Sequence, residues 1–153
     1  LNHIFNTNCR LLGKVKGDSL SEDEISFLKE FWSMLCATII EWQRVFNKEL
    51  SPKDLRENYI VGHGVFIESL GVLGRYLREY HPDEWKVYLK NLAQIDYSRT
   101  NIKDWRGRAF GANGRIHKTK ETVTLTSNKL KEFLGLPLTE AEQKTEEKFQ
   151  LGV

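Results

Sequence analysis

The sequence contains few of the residues and none of the short motifs from which catalytic and metal sites are commonly built. It has two cysteines and four histidines, and Cys9 and Cys36 share neither a metal-ligand nor a C-x-x-C spacing. Cys36 falls in an apolar helical stripe, so we predict a reduced core thiol, which fits a cytoplasmic protein. There is no G-x-S-x-G, Walker-type loop or H-E-x-x-H. We therefore predict no catalytic residue, metal or cofactor, which weighs against an enzyme.

Long hydrophobic runs are also missing. No apolar stretch approaches the roughly 18 residues of a membrane helix, so we predict no membrane segment. The length of 153 residues, with 40% apolar and 29% charged residues, fits one globular domain. Because the chain begins at Leu1 with a pattern already under way, we expect residues 1–153 to be a single helical domain from the C-terminal part of a longer protein.

What is present is a strong helical pattern. Ser21 and Glu24 form a capping box, and large apolar residues then recur every three or four positions as far as Phe46. This pattern predicts one helix roughly 40 Å long. The fold class is therefore mainly α, a helical bundle around one long helix, with a basic glycine-containing loop and at most one short β-hairpin.

The following segments add shorter helices. Pro52 suits a first helical turn, and Thr139 and Glu142 form a second capping box. Between them, small residues such as Gly71 and Gly74 predict close packing of a helix against the long one. His63 stands between two glycines, where it is either a polar contact for a ligand or a hydrogen-bonded structural histidine.

Residues 95–126, here called the basic segment, differ from this helical frame. The stretch from Arg99 to Lys120 carries one acid, Asp104, and seven basic residues: Arg99, Lys103, Arg106, Arg108, Arg115, Lys118 and Lys120. The whole chain has a net charge of only +2, so positive charge is concentrated here. Period-two alternation in residues 121–126 is compatible with a short strand.

The concentration of charge favours a polyanion as partner, with a nucleic-acid backbone the foremost candidate. Trp105 or Phe110 could stack on an exposed base, and Asn113 lies at the turn between the basic residues. The alternative is a solvated loop whose arginines pair with acidic helix faces, such as Glu57, Glu68 and residues 140–147.

Several longer motifs resemble the C-terminal region of the DndB family of DNA sulfur modification proteins, within the wider DGQHR-domain group. The resembling pieces are FW at 31–32, EWQ at 41–43, ELSPKDLRENYIVGHGVFIESLG at 49–71, HPDEWKVYLKNLAQIDYSRTN at 81–101, WRGRAFGANGR at 105–115 and TVTLTSNKLKEFLGLPLTEAEQKTEE at 122–147. The motif after which the DGQHR group is named is absent from this chain.

The resemblance implies a bacterial or archaeal cytoplasmic protein that binds DNA, represses its own modification cluster and modulates phosphorothioation. The sulfur chemistry itself would belong to partner proteins of the phosphorothioation complex. Two alternatives stay open: a protein-interaction scaffold without DNA contact, and the support half of an enzyme whose active site lies in a missing N-terminal region.

Overall fold

The computed structural model describes residues 2–152, and its secondary structure is almost entirely helical. This confirms the mainly α prediction. Two 3-10 turns, Ile60–Gly62 and Asn91–Gln94, connect the helices. The helices, in chain order, are α1 Asn2–Leu12, α2 Glu22–Thr38, α3 Ile40–Phe46, α4 Pro52–Asn58, α5 Gly64–Tyr80, α6 Trp85–Lys90, α7 Ile102–Trp105, α8 Lys120–Leu134 and α9 Glu140–Gln150.

The helix starts follow the capping signals in the sequence. At α2 the Ser21 hydroxyl accepts from the Glu24 amide, and the Glu24 carboxylate accepts from the Ser21 amide. Thr139 and Glu142 make the same reciprocal pair at α9. Pro52 occupies the first turn of α4, where its missing amide leaves no partner unsatisfied.

The predicted long helix is wrong, because the chain breaks at Ile39. This residue takes an extended conformation between α2 and α3, and its side chain is fully buried. The break lets Trp42 in α3 donate from its indole Nε1 to the Val61 carbonyl at 2.9 Å. Burial and a tertiary hydrogen bond therefore outweigh the continuous helical pattern. Cys36 is half-buried in α2, and burial raises the pKa of its thiol.

The central element is instead α5, which is buried along most of its length. A side chain at Gly71 would approach the Thr7 carbonyl oxygen to 2.8 Å, and one at Gly74 would meet Leu11 and Phe31. The small residues of α5 thus seat α1 directly on its backbone. The sequence correctly predicted that another helix approaches the small residues closely. At Gly71, however, that helix is α1 and not α2, the first part of the predicted long helix.

The predicted short strand or hairpin at residues 121–126 is also wrong, because these residues form the first turns of α8. Thr119 caps that helix through a reciprocal pair with Thr122. Helical spacing then turns Val123, Leu130 and Leu134 toward the core. Between residues 2 and 152 the only β pairings are isolated bridges, two of them within the basic segment.

Among the described helices, none combines the length and the apolar character that crossing a membrane requires.

Candidate nucleic-acid interface

The basic segment is anchored to the core by the aromatic residues Trp105 and Phe110. Trp105 is fully buried, packs near Tyr97 and donates from its indole Nε1 to the Asp96 carbonyl at 2.8 Å. Phe110 is 4% exposed. Neither ring can stack on a nucleic-acid base without opening the core, so the structure corrects that expectation: the aromatic residues hold the loop in place.

Between these anchors and α8 the chain forms a compact double turn. The Gly107 amide donates to the Phe110 carbonyl at 2.7 Å, and the Gly111 amide donates to the Arg115 carbonyl at 2.9 Å. Gly107 and Gly114 have φ values of +80° and +76°, which favour glycine. At the tip, the Asn113 side chain accepts from the Arg115 amide at 3.0 Å. Because these amides are used inside the turn, anion binding would fall chiefly to side chains.

Besides Asn113 and Lys118, four of the predicted contact residues are exposed: Lys103, Arg106, Arg115 and Lys120. Within the described chain, no carboxylate lies within 4.0 Å of their charged groups. The Arg106 guanidinium has only a long contact of 3.4 Å to the Ala112 carbonyl. These side chains therefore keep their full positive charge available to a ligand.

Arg99 is half-buried and ties the turn to α4. Its guanidinium donates to the Arg56 carbonyl at 3.0 Å and to the Gly114 carbonyl at 2.6 Å. Both acceptors are neutral, so the charge of Arg99 is not cancelled. Arg56 itself is exposed at the end of α4. No local pattern in the sequence connects Arg56 with Arg99, because 43 residues separate them.

His63 also binds the Arg56 carbonyl, with its Nε2 at 2.7 Å. Burial lowers the pKa of His63, the hydrogen bond to this carbonyl opposes that effect, and the charges of Arg99 and Arg56 lower the pKa further. A neutral imidazole beside two arginines fits the structural alternative. The side chain already has a partner within the protein.

Arg108 differs from the other arginines because it is buried and paired. Its guanidinium forms a two-pronged ion pair with the Glu146 carboxylate, donates to the Leu125 carbonyl and lies 4.6 Å from the centre of the Phe149 ring. A group so enclosed cannot reach a phosphate. The prediction that Arg108 contacts DNA is therefore corrected: Arg108 attaches α9 to the fold.

Lys118 is also ion-paired within the protein, although less completely than Arg108. Its ammonium lies 2.8 Å from the buried Glu68 carboxylate, which also accepts from the Asn6 amide at 3.0 Å. Burial alone would raise the pKa of Glu68, but the hydrogen bonds from Lys118 and Asn6 and the charges of Lys118 and Arg10 lower it overall. The Lys118 side chain is still 40% exposed, so it fixes the end of the segment while contributing some positive potential.

Together these contacts leave five of the seven basic residues without an acidic partner in the described part of the chain: Arg99, Lys103, Arg106, Arg115 and Lys120. Residues 2–152 also contain no cluster of three or more His, Cys, Asp and Glu side chains suited to a metal ion. What the arrangement offers chemically is therefore an array of fixed and flexible cations.

A protein-family model described as DndB, DNA-sulfur modification-associated, matches residues 1–137. The match covers the whole basic segment and α8, and it ends before α9 begins. No curated protein and no solved structure matches the chain.

Proposed function

The chain belongs to the DndB family of DNA-sulfur modification-associated proteins, and we propose that it is a DNA-binding regulatory domain of a bacterial phosphorothioation system. In this role it binds duplex DNA through the basic segment and limits the expression or the activity of the modification machinery. It resembles a repressor of the modification cluster, and its other partners would be proteins of the modification complex. The proposal implies a cytoplasmic location, where the DNA is.

One observation carries the proposal: a turn anchored by buried aromatic rings displays cations that have no acidic partner among the described residues. Buried Trp105 and Phe110 fix the base of the turn, and Arg106 and Arg115 extend from it into solvent. Buried Arg108 of the same turn is paired with Glu146. Since no carboxylate of the described residues lies within ion-pair distance of exposed Arg106 and Arg115, a polyanionic partner explains their exposure well.

The basic side chains would contact the phosphates in different ways. Arg106 and Arg115 provide planar guanidinium groups that can hold two oxygens of one phosphate. Arg99, held by two carbonyls, adds a fixed charge beneath the tip. Lys103 and Lys120 are flexible and extend the positive surface on either side. Such contacts position a protein on the backbone without reading base sequence.

The test is a double variant, Arg106→Ala with Arg115→Ala, assayed for duplex DNA binding over a series of salt concentrations. If both side chains contact phosphates, affinity falls and the slope of log K against log salt becomes less steep by about two. The matched control removes two exposed cations elsewhere, Lys16→Ala with Lys29→Ala, and should leave the slope nearly unchanged. Equal behaviour of the two double variants would contradict the proposal.

The scaffold alternative is supported by the ion pairs of Arg108 and Lys118, which use two basic residues inside the fold. In that case Arg106 and Arg115 would face an acidic protein surface. The same variants separate the two functions, because a scaffold would lose binding to a modification protein while its DNA affinity stayed low and unaltered.

A further inference from the structure

A groove of about 590 Å³ lies where α1, α5, α8 and α9 meet. Its volume is in the usual range for small-molecule sites. Apart from Lys120, its lining residues lie outside the predicted DNA-contact set.

Three cations line this groove: Arg10 from α1, Arg75 from α5 and Lys120 at the start of α8. None of the three charged groups makes a hydrogen bond or an ion pair with another described residue. The acids opposing them in the lining are Glu79 and Glu142. An excess of positive charge therefore remains for a ligand.

The floor of the groove is already neutral. Lys131 is buried, with its ammonium 2.7 Å from a Glu142 carboxylate oxygen and 3.9 Å from the centre of the Tyr76 ring. The charges of this pair cancel, and the ammonium holds the Tyr76 ring in place. Among the acids that line the groove, only Glu79 is then left to oppose the three cations at the rim.

An exposed aromatic ring stands beside the cations. Tyr80 is 64% exposed although it lines the groove, and its ring lies 4.9 Å from the Tyr76 ring, centre to centre. Tyr76 in turn contacts His81 and Lys131. Tyr76 thus supports Tyr80 from one side, while most of the Tyr80 ring stays open to solvent.

We propose that this groove binds a nucleotide, with its phosphate held by Arg10, Arg75 and Lys120 and its base stacked on Tyr80. Guanidinium and ammonium groups are the common ligands of phosphate, and an exposed tyrosine beside them provides the stacking surface that a base requires. The nucleotide could be a free mononucleotide or one unstacked residue of a DNA strand. A free mononucleotide and a nucleotide within a strand present the same phosphate and base. Titration with each of them separately tells the two apart.

The experiment is calorimetric titration of the whole chain with inorganic phosphate, thymidine monophosphate and short oligo(dT). Binding of thymidine monophosphate identifies a free nucleotide as sufficient, whereas binding of oligo(dT) alone identifies a strand. Tyr80→Ala should weaken either one roughly tenfold. Arg75→Ala should weaken binding and reduce the oligo(dT) salt slope by about 0.7. Glu79→Gln should tighten binding, because it removes a charge of the same sign as phosphate.

The controls are matched in exposure. Phe46 in α3 is also 64% exposed, so Phe46→Ala reports the effect of losing an exposed aromatic ring elsewhere. Lys16→Ala does the same for an exposed cation. Circular dichroism establishes that each variant is folded.

The proposal is overturned if neither nucleotide ligand binds, or if Tyr80→Ala and Arg75→Ala bind as the unaltered chain does. Binding that depends on Arg75 but not on Tyr80 would identify a phosphate site without a base, which also contradicts it. These outcomes are independent of the duplex assay, because the groove variants leave Arg106 and Arg115 intact. Loss of duplex binding in the Arg106 and Arg115 variant would leave this titration unaffected.

Discussion

Arg106 and Arg108 lie two residues apart in the chain and have opposite environments. Arg106 is exposed and has only one long contact to a carbonyl, whereas Arg108 is buried against Glu146. The alternation arises because the turn at Gly107 sends one side chain to solvent and the next toward α9. Arg108 therefore contributes to stability, whereas Arg106 is available for the binding role that we propose.

This difference predicts contrasting variants. Arg108→Ala leaves the Glu146 carboxylate partly buried without its main partner, so the free energy of unfolding should fall by about 3 kcal/mol. Arg106→Ala should change it by less than about 0.5 kcal/mol, as is usual for exposed sites. Urea denaturation followed by circular dichroism measures both. A loss in Arg106→Ala as large as that in Arg108→Ala would contradict the assignment.

A single carboxylate at the start of α2 should also affect stability at low pH. The hydrogen bond from Lys14, followed by that from the Ser21 amide, lowers the pKa of Glu24 from 4.5 to about 2. A group whose pKa is lowered by folding stabilises the protein above its unfolded pKa, and this contribution is lost as the pH falls through the folded pKa. The contribution of Glu24 should therefore disappear between pH 4.5 and 2.

We accordingly expect Glu24→Gln to be less stable than the unaltered chain at neutral pH and to lose less stability on acidification. Urea midpoints measured at a series of pH values give the comparison. Glu22→Gln is the matched control, since Glu22 lies in the same turn, is exposed and has no partner among the described residues. Parallel pH profiles for Glu24→Gln and the unaltered chain would show that folding does not lower the pKa of Glu24.

At the scale of elements, local signals predicted where α2, α4 and α9 begin, whereas tertiary contacts decided where α2 ends. The capping boxes at Ser21 and Thr139 are readable because both partners lie within three residues. The break at Ile39 is not readable locally, because it depends on contacts between α3 and the turn at Val61.

The start of α8 illustrates how a short pattern misleads. Threonine, valine and leucine alternate over residues 122–126, which favours a strand on period alone. The Thr119 cap and the core contacts of Val123 and Leu130 produce a helix instead. Its cap uses Thr122 in place of glutamate or glutamine, so the usual capping-box signature was absent.

Close seating of α1 on α5 gives an element-scale prediction. In an open helix Gly→Ala gains about 1 kcal/mol of helix propensity, but at Gly71 the new methyl group would meet the Thr7 carbonyl oxygen at 2.8 Å. We expect Gly71→Ala to destabilise the protein by about 1 to 3 kcal/mol, because α1 must move away. Thermal denaturation tests the sign. A variant more stable than the unaltered chain would mean that α1 is not held at this distance.

At the scale of the whole molecule, composition identified the basic segment but could not divide its residues by role. Lys103, Arg106 and Arg115 are exposed as the DNA-binding hypothesis requires. The partner of Arg108 lies 38 residues away and that of Lys118 lies 50 residues away. Pairings over such distances depend on the packing of α5, α8 and α9, which no local pattern encodes.

The last helix offers a test at this scale. Glu142 and Glu146 are the acidic partners of Lys131 and Arg108, so replacing both acids by glutamine leaves two cations unpaired beneath α9. We expect this double variant to lose about 3 to 5 kcal/mol at each site and to unfold at a much lower temperature. Replacing Arg108 and Lys131 by methionine in the double variant should restore part of the loss, whereas replacing exposed Lys16 and Lys29 should not. An unchanged melting temperature in the double variant would contradict this account.

The position of α9 beyond the matched residues has a consequence for other members of the family. We expect the carboxylates of α9 and the cations at positions 108 and 131 to be kept or lost together, because an unpaired charge is unfavourable in the interior. A relative whose chain stops before this helix leaves both positions uncovered, so a charge there no longer needs an acidic partner. Where the helix is kept and one acid is lost, the corresponding cation should be lost with it.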